Sequence, residues 1–225
     1  IVAGGLGFLT LEELHMSWRR RHGAPPRLSL HSRLALVTTV LLLLGGWACY
    51  LGLEWTRSLR DLPAWARILN ALFMSVTART AGFHTVDYAE TSEGASFLTI
   101  LLMSIGGSPG STAGGLKTTT FAVIALLAYA RLAGRKTTGA YYRTIPEETV
   151  QRAVGVFTIG FVLVTAAILA YSVLLGRPPE GTDSRFLAHM FEAVSAFNTV
   201  GLSMGATGEL TGAGKAVTIF LMYVG

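Results

Sequence analysis

Three long runs of the chain carry no charged residue: positions 34–53, 94–116 and 153–176, with 20, 23 and 24 residues. A helix that crosses a bilayer needs ~20 apolar residues, because its backbone must satisfy its own polar groups across a ~30 Å hydrocarbon core. Runs of this length exclude an ordinary soluble enzyme, a disordered chain and a secreted disulfide scaffold. Charged residues make up 14% of the 225 positions, against about 25% in soluble domains. The single cysteine, Cys49, allows no internal disulfide and is expected to act as a small buried hydrophobe. The net charge of +5 gathers at the ends of the apolar runs, a pattern of membrane topology rather than of nucleic-acid binding. The chain begins inside an apolar Gly-rich stretch and stops partway through another at 216–225, so it reads as an internal piece of a larger membrane protein.

The polar segments sort by charge. Segments 11–33 and 131–152 together hold ten basic and four acidic residues; segments 54–93 and 177–215 hold seven basic and nine acidic. Cytoplasmic loops carry the excess of Lys and Arg, so the first pair is expected inside and the second outside. Residues 34–53 then run outward, 94–130 return, 153–176 run outward again, and a last inward crossing begins near Ala216. Four regions follow. Residues 1–33 are the end of an inward helix plus a basic cytoplasmic segment, 34–130 a complete unit, 131–152 a cytoplasmic linker, and 153–225 an incomplete last unit.

Residues 64–79 carry large apolar side chains at 65, 68, 69, 72, 73 and 76 after Pro63, which is helical spacing with a suitable start. At ~1.5 Å per residue this helix reaches only about 24 Å. It fits either a surface amphipathic helix or a re-entrant half-helix. A repeat favours the second. At an offset of 119, Thr80-Ala81-Gly82-Phe83 aligns with Thr199-Val200-Gly201-Leu202, and 99–106 aligns with 218–225 with five of eight pairs identical. A second short amphipathic helix, 184–197, with Asp183 as its expected N-cap, precedes the second turn. The unit is therefore outward helix, half-helix, Gly-containing turn, inward helix, a construction many membrane transport proteins share.

Irregular backbone at membrane depth is tolerated only where it lines a cavity or is buried in protein. The turns 80–85 and 198–203 can present successive carbonyl oxygens, which replace the hydration shell of a permeating cation. Each half-helix points its negative end at its turn. Ordinary helix-terminating glycines are the alternative reading. The run 94–130, with Lys117 as its one charge before Arg131, would be about 55 Å long as one helix. The sequence Gly106-Gly107-Ser108-Pro109-Gly110-Ser111-Thr112-Ala113-Gly114-Gly115 in its middle predicts a break. That stretch is expected as a flexible polar loop obstructing a pore below the turns, with a simple kink as the alternative. Gly106-x-Ser108-x-Gly110 imitates a hydrolase nucleophile elbow but follows a membrane helix rather than a strand. A phosphate loop fails because Leu116 stands where Gly must precede the lysine.

Among the charges, Lys117 is expected near the loop or snorkelling toward the cytoplasm. Arg79 and Glu192 are expected to pair between the half-helices. Arg57, Arg60 and Arg67 read as surface residues. His15, His22 and His31 show no metal spacing, and His189 reads as a packed half-helix residue.

Three motifs carry a resemblance. Ser75-Val76-Thr77-Ala78-Arg79-Thr80-Ala81-Gly82-Phe83-His84-Thr85, the 106–120 run, and Phe191-Glu192-Ala193-Val194-Ser195-Ala196-Phe197-Asn198-Thr199-Val200-Gly201-Leu202-Ser203 resemble the Trk/Ktr/HKT superfamily of potassium transporters. The 108–120 stretch is most similar to the membrane subunit of the Ktr branch. The resemblance implies an all-α integral membrane fold of four membrane helix–pore helix–membrane helix repeats, of which this chain holds about two. It implies that Gly82 and Gly201, with Thr80, Ala81, Phe83, Thr199, Val200 and Leu202, form the selectivity filters of repeats three and four. Residues 106–115 with Lys117 would be the gating loop. It further implies transported K⁺ with possible Na⁺ involvement, no organic cofactor, a homodimer in membrane lipid, and a cytoplasmic nucleotide-binding regulatory ring. The family usually has Asn where His84 stands, and places an Arg just after the glycine that Gly225 matches.

The expectation is thus a multi-pass cell-membrane protein, not an enzyme, that takes up potassium through a carbonyl filter and a glycine-loop gate. A Na⁺-permeable member of the same superfamily is the near alternative. A secondary solute transporter with broken helices is the alternative from another class, and it would need side-chain ligands around a substrate pocket.

Overall fold

A computed structural model describes residues 1–19, 28–141, 143–174 and 185–225. The chain is built of helices: α1 (Val2–Gly5), α2 (Phe8–Arg19), α3 (Leu30–Glu54), α4 (Ala64–Thr77), α5 (Glu93–Met103), α6 (Thr118–Leu132), α7 (Glu147–Leu174), α8 (Arg185–Phe197) and α9 (Gly212–Val224). One antiparallel pair of two-residue strands, Gly139–Ala140 with Arg143–Thr144, lies between α6 and α7. Arg20, Arg21, His22 and Arg27 of the basic segment lie outside the described residues, as do Arg177, the expected cap Asp183 and Ser184.

Helices α3 and α7 have 25 and 28 residues and are apolar enough to cross a membrane. Their apolar side chains face outward: Leu41 is 66% exposed and Ile159 63%. A soluble core helix would bury such residues. Cys49 shares this outward face and is exposed rather than buried. The reason is geometric, since α3 buries Ala35, Thr39, Gly46, Tyr50 and Glu54 on its opposite face. The charge-poor run from residue 94 divides into α5 and α6, with residues 104–117 non-helical between them.

Helix α4 packs along α3 through small contacts. A Cβ on Gly46 would lie 2.6 Å from Ser75 Oγ and 2.9 Å from a Leu102 methyl, and Ser75 Oγ donates to Leu43 O at 2.8 Å. Trp47 Nε1 donates to Ile68 O at 3.1 Å. The face α4 buries is Ala66, Ala71, Met74, Ser75 and Thr77. Its large residues Trp65, Ile68, Leu69 and Leu72 are exposed, so the apolar stripe legible in the sequence is the outer face.

The 119-residue repeat is visible as repeated chemistry. Ser92 caps α5 by accepting from Ala95 N, and Thr211 caps α9 by accepting from Gly214 N, both at 3.2 Å. Thr99 donates to Ala95 O and meets Tyr50 Oη at 2.7 Å. Thr218, at the matching position, donates to Gly214 O and meets Tyr171 Oη at 2.7 Å. Each long helix thus presents a buried tyrosine to the helix that follows the turn. Glu54, fully buried at the end of α3, accepts from the backbone N–H and hydroxyl of both Ser92 and Ser58. It ties α3 to the start of α5.

Because Gly46 admits α4 so closely, Gly46→Val should destabilise the full-length protein by ~1–3 kcal/mol through overpacking. Gly45→Ala, where a Cβ meets nothing within 4 Å, should match or exceed the parent. Thermal unfolding midpoints in detergent would separate the two.

Candidate functional site

The half-helices α4 and α8 each run into an irregular turn, and the two turns touch. A Cβ on Gly82 would lie 2.5 Å from Val200 O, and one on Gly201 would lie 3.6 Å from Gly82 Cα. Gly82 and Gly201 have φ of +75° and +88°, a region that only glycine enters at no steric cost. The preceding threonines also sit at positive φ, Thr80 at +62° and Thr199 at +52°. A β-branched residue there is a genuine outlier, costing of order 1–3 kcal/mol. Nothing in the sequence signalled this strain at the threonines.

Hydroxyls from the half-helices hold the far ends of the turns. Thr77 Oγ1 donates to Phe83 O, and Ser195 Oγ donates to Leu202 O at 2.6 Å. The carbonyls of Thr80, Ala81, Gly82, Thr199, Val200 and Gly201 accept no hydrogen bond from the described residues. Backbone carbonyls are obligatory acceptors, so six of them in two touching turns form a concentrated field of partial negative charge. Among the described residues no group of three His, Cys, Asp or Glu side chains could hold a metal ion.

The glycine-rich stretch folds against these turns as an ordered loop with a closed neck. Gly106 N donates to Leu116 O at 2.7 Å, and Thr118 N donates to Gly107 O at 2.9 Å. The hydroxyls of Ser108 and Thr118 meet at 3.0 Å. Within the loop Ser111 N donates to Ser108 O, and Ala113 N to Ser111 Oγ. Pro109 and Gly110 form the tip, where Phe8 N donates to Gly110 O at 3.2 Å. Ser108 N donates to Gly5 O at 2.8 Å and Thr112 N to Gly4 O at 3.5 Å. On the other side a Cβ on Gly114 would collide with Thr199 Oγ1, and one on Gly115 with Asn198 Oδ1. Gly115 N donates to Gly225 O at 3.3 Å. The loop is thus pressed between the start of the chain, the second turn and the end of α9. Asn198 and the Gly4–Gly5 contact were not singled out from sequence. The 119 offset does contain the first, since it places Asn198 opposite Arg79.

The charges distribute differently from the expected pairing. Arg79 and Glu192 form no ion pair: Arg79 Nη2 donates to Gly106 O at 3.1 Å. Glu192 accepts from Ser203 Oγ, from Met204 N at 3.1 Å and from Thr207 Oγ1 at 2.6 Å. The repeat explains the mismatch, because the counterpart of Arg79 is Asn198, six residues beyond Glu192. Lys117 folds onto the loop, its Nζ donating to Ala113 O at 2.6 Å. Arg67 caps the α3–α4 connection through Leu62 O and stacks over Trp55 at 5.2 Å. His189 lies edge-on to the Tyr171 ring.

Two helix–half-helix–turn–helix units, with strained carbonyl turns in contact and a glycine loop beneath them, define a repeat-built membrane protein. Residues 30–225 match the family model TrkH, described as a cation transport protein, and the chain belongs to that family. It is 42% identical over its whole length to the potassium/sodium uptake protein NtpJ of Enterococcus hirae, covering 48% of that protein. It is 35% identical over its whole length to the Ktr system potassium uptake protein B of Bacillus subtilis, again covering 48%. The crystal structure of the potassium transporter TrkH from Vibrio parahaemolyticus superposes with a TM-score of 0.70 over 96% of this chain and 47% of that one, at 22% identity. The fold is all-α and membrane-embedded, and the chain spans about half the length of these relatives.

Glu192 satisfies three donors in the segment after the second turn, so Glu192→Ala should leave them without their acceptor, at ~1–3 kcal/mol for any that stay buried. Limited proteolysis of the full-length protein should then cut faster within residues 203–210 while the melting midpoint of the remainder changes little.

Proposed function

We propose that this chain is the second half of a potassium-uptake subunit in which the two turns supply half of a ring of carbonyl ligands. The observation that carries the reading is the set of six carbonyls that accept no hydrogen bond from the described residues in two touching turns. Carbonyl rings of this kind replace the hydration shell of a monovalent cation. The names of the relatives, potassium/sodium uptake protein and potassium uptake protein, support K⁺ as the transported ion. Four such repeats would complete the ring, and Thr80, Ala81, Gly82 and Phe83 with Thr199, Val200, Gly201 and Leu202 would be the filters of the third and fourth.

Residues 106–115, backed by Lys117, act in this reading as the gate. A segment packed directly against Thr199 blocks the path leading away from the carbonyls, and movement about its neck opens it. The subunit sits in the cell membrane as a multi-pass protein and is not an enzyme. The basic segments 11–33 and 131–152 face the cytoplasm, where a homodimer meets a nucleotide-binding regulatory ring. A Na⁺-permeable variant is the second reading, favoured by the potassium/sodium name of one relative and by His84 beside the filter.

The test is ⁸⁶Rb⁺ uptake into liposomes by the full-length protein, with Na⁺ as competitor. Gly201→Ser places a Cβ where φ is +88° and should reduce K⁺ over Na⁺ discrimination by about tenfold, roughly 1.4 kcal/mol of differential binding. Unchanged discrimination contradicts the filter assignment. Deleting residues 107–113 should raise flux several-fold, and an unchanged rate contradicts the gate.

A further inference from the structure

Arg79 and Asn198 occupy the same place in the two repeats, each one residue before the threonine of its turn and 119 positions apart. Both reach the neck of the glycine loop, from opposite sides. Arg79 Nη2 donates to Gly106 O at 3.1 Å. Gly106 N donates to Leu116 O at 2.7 Å. Leu116 N donates to Asn198 Oδ1 at 3.3 Å. Three hydrogen bonds in series therefore join the end of α4 to the end of α8 through a single pair of loop residues. The acceptor is held in place, because Asn198 Nδ2 donates to Val194 O at 3.0 Å and so fixes which way its oxygen points. The donor has few alternatives: Arg79 Nε is buried without a partner among the described residues. A bond from a guanidinium is charge-assisted and roughly twice as strong as a neutral one.

We infer that Arg79 and Asn198 are a clamp: positioning residues that hold the neck of the loop shut and couple it to the backbone of both turns. The inference rests on the reading of residues 106–115 as the gate. Its physical content is that the neck is bonded to residues contiguous with Thr80 and Thr199, so a change of backbone at either turn reaches the loop through one peptide unit. Beyond the neck the loop is held by neutral contacts, including the 3.5 Å bond from Thr112 N to Gly4 O, and by one charged donor, Lys117 Nζ on Ala113 O at 2.6 Å. Loss of the clamp therefore frees the loop while leaving the carbonyl turns in place.

The experiment uses the full-length protein in liposomes with its native cysteines, including Cys49, replaced and Ser111→Cys as a reporter. Thiol modification by a charged methanethiosulfonate reagent reads loop position, and ⁸⁶Rb⁺ flux with Na⁺ competition reads gate and filter. Arg79→Met should raise the modification rate about tenfold and flux several-fold, with the K⁺/Na⁺ ratio unchanged. Asn198→Leu should move both in the same direction by less. Arg79→Lys, which keeps a cationic donor, should stay close to the parent and guards against loss of fold. The clamp is overturned if Arg79→Met leaves thiol modification at the parent rate, or if it collapses the K⁺/Na⁺ ratio while the loop stays protected. The deletion of 107–113 separates the two layers. Raised flux on deletion with no response to Arg79→Met removes the clamp and keeps the gate. Unchanged flux on deletion removes the gate, and the modification rate alone then decides whether Arg79 positions the loop.

Discussion

Gly82 and Gly201 meet with no side chain between them, and the carbonyls around them accept no hydrogen bond from the described residues. Unpaired backbone acceptors are costly in an apolar setting, and irregular backbone survives at membrane depth only where protein or a cavity surrounds it. The rest of the structure can be understood as meeting that cost. Two half-helices stop short and aim their negative ends at the turns. The hydroxyls of Thr77 and Ser195 fix the far carbonyls. The long helices α3 and α7 hold the helices after the turns through Tyr50–Thr99 and Tyr171–Thr218. Thr80 and Thr199 are kept in conformations that a free peptide would leave at once.

Below the turns, glycine serves close approach rather than looseness. The loop has no Cβ at the two positions where it faces Thr199 and Asn198, so its backbone lies directly under the second turn. Its neck is closed by paired backbone hydrogen bonds and its tip is held by the first residues of the chain. These contacts order the loop. The neutral ones among them are individually modest, about 0.5–1.5 kcal/mol each.

Much of this was legible in the sequence because membrane proteins separate their signals by length. Charge-free runs marked α3 and α7, and a run too long for one crossing, with five glycines and a proline in its middle, marked the break between α5 and α6. The offset of 119 located both turns. Other features were hidden by physics that a linear reading does not contain. Arg79 and Glu192 looked like partners from sign and element, but depth along a half-helix decides contact, and Glu192 lies six residues too early. Helix α4 was legible as amphipathic, yet which face is buried depends on Gly46 and Ser75 fitting together. Cys49 lies on the lipid-type face of α3 because apolar residues need not be interior when the surroundings are apolar. The contact of Phe8, Gly4 and Gly5 with the loop joins segments a hundred residues apart and has no local signature.

The central claim is that the paired turns hold a dehydrated monovalent cation on backbone oxygens. Anomalous scattering from Rb⁺ or Tl⁺ in crystals of the full-length protein tests it most directly. A peak between the two turns, coordinated by carbonyls from 80–82 and 199–201 and weakened in Gly201→Ser, is the expected result. Density for the ion only at side chains elsewhere, with the space between Gly82 and Gly201 empty at saturating Rb⁺, would contradict it.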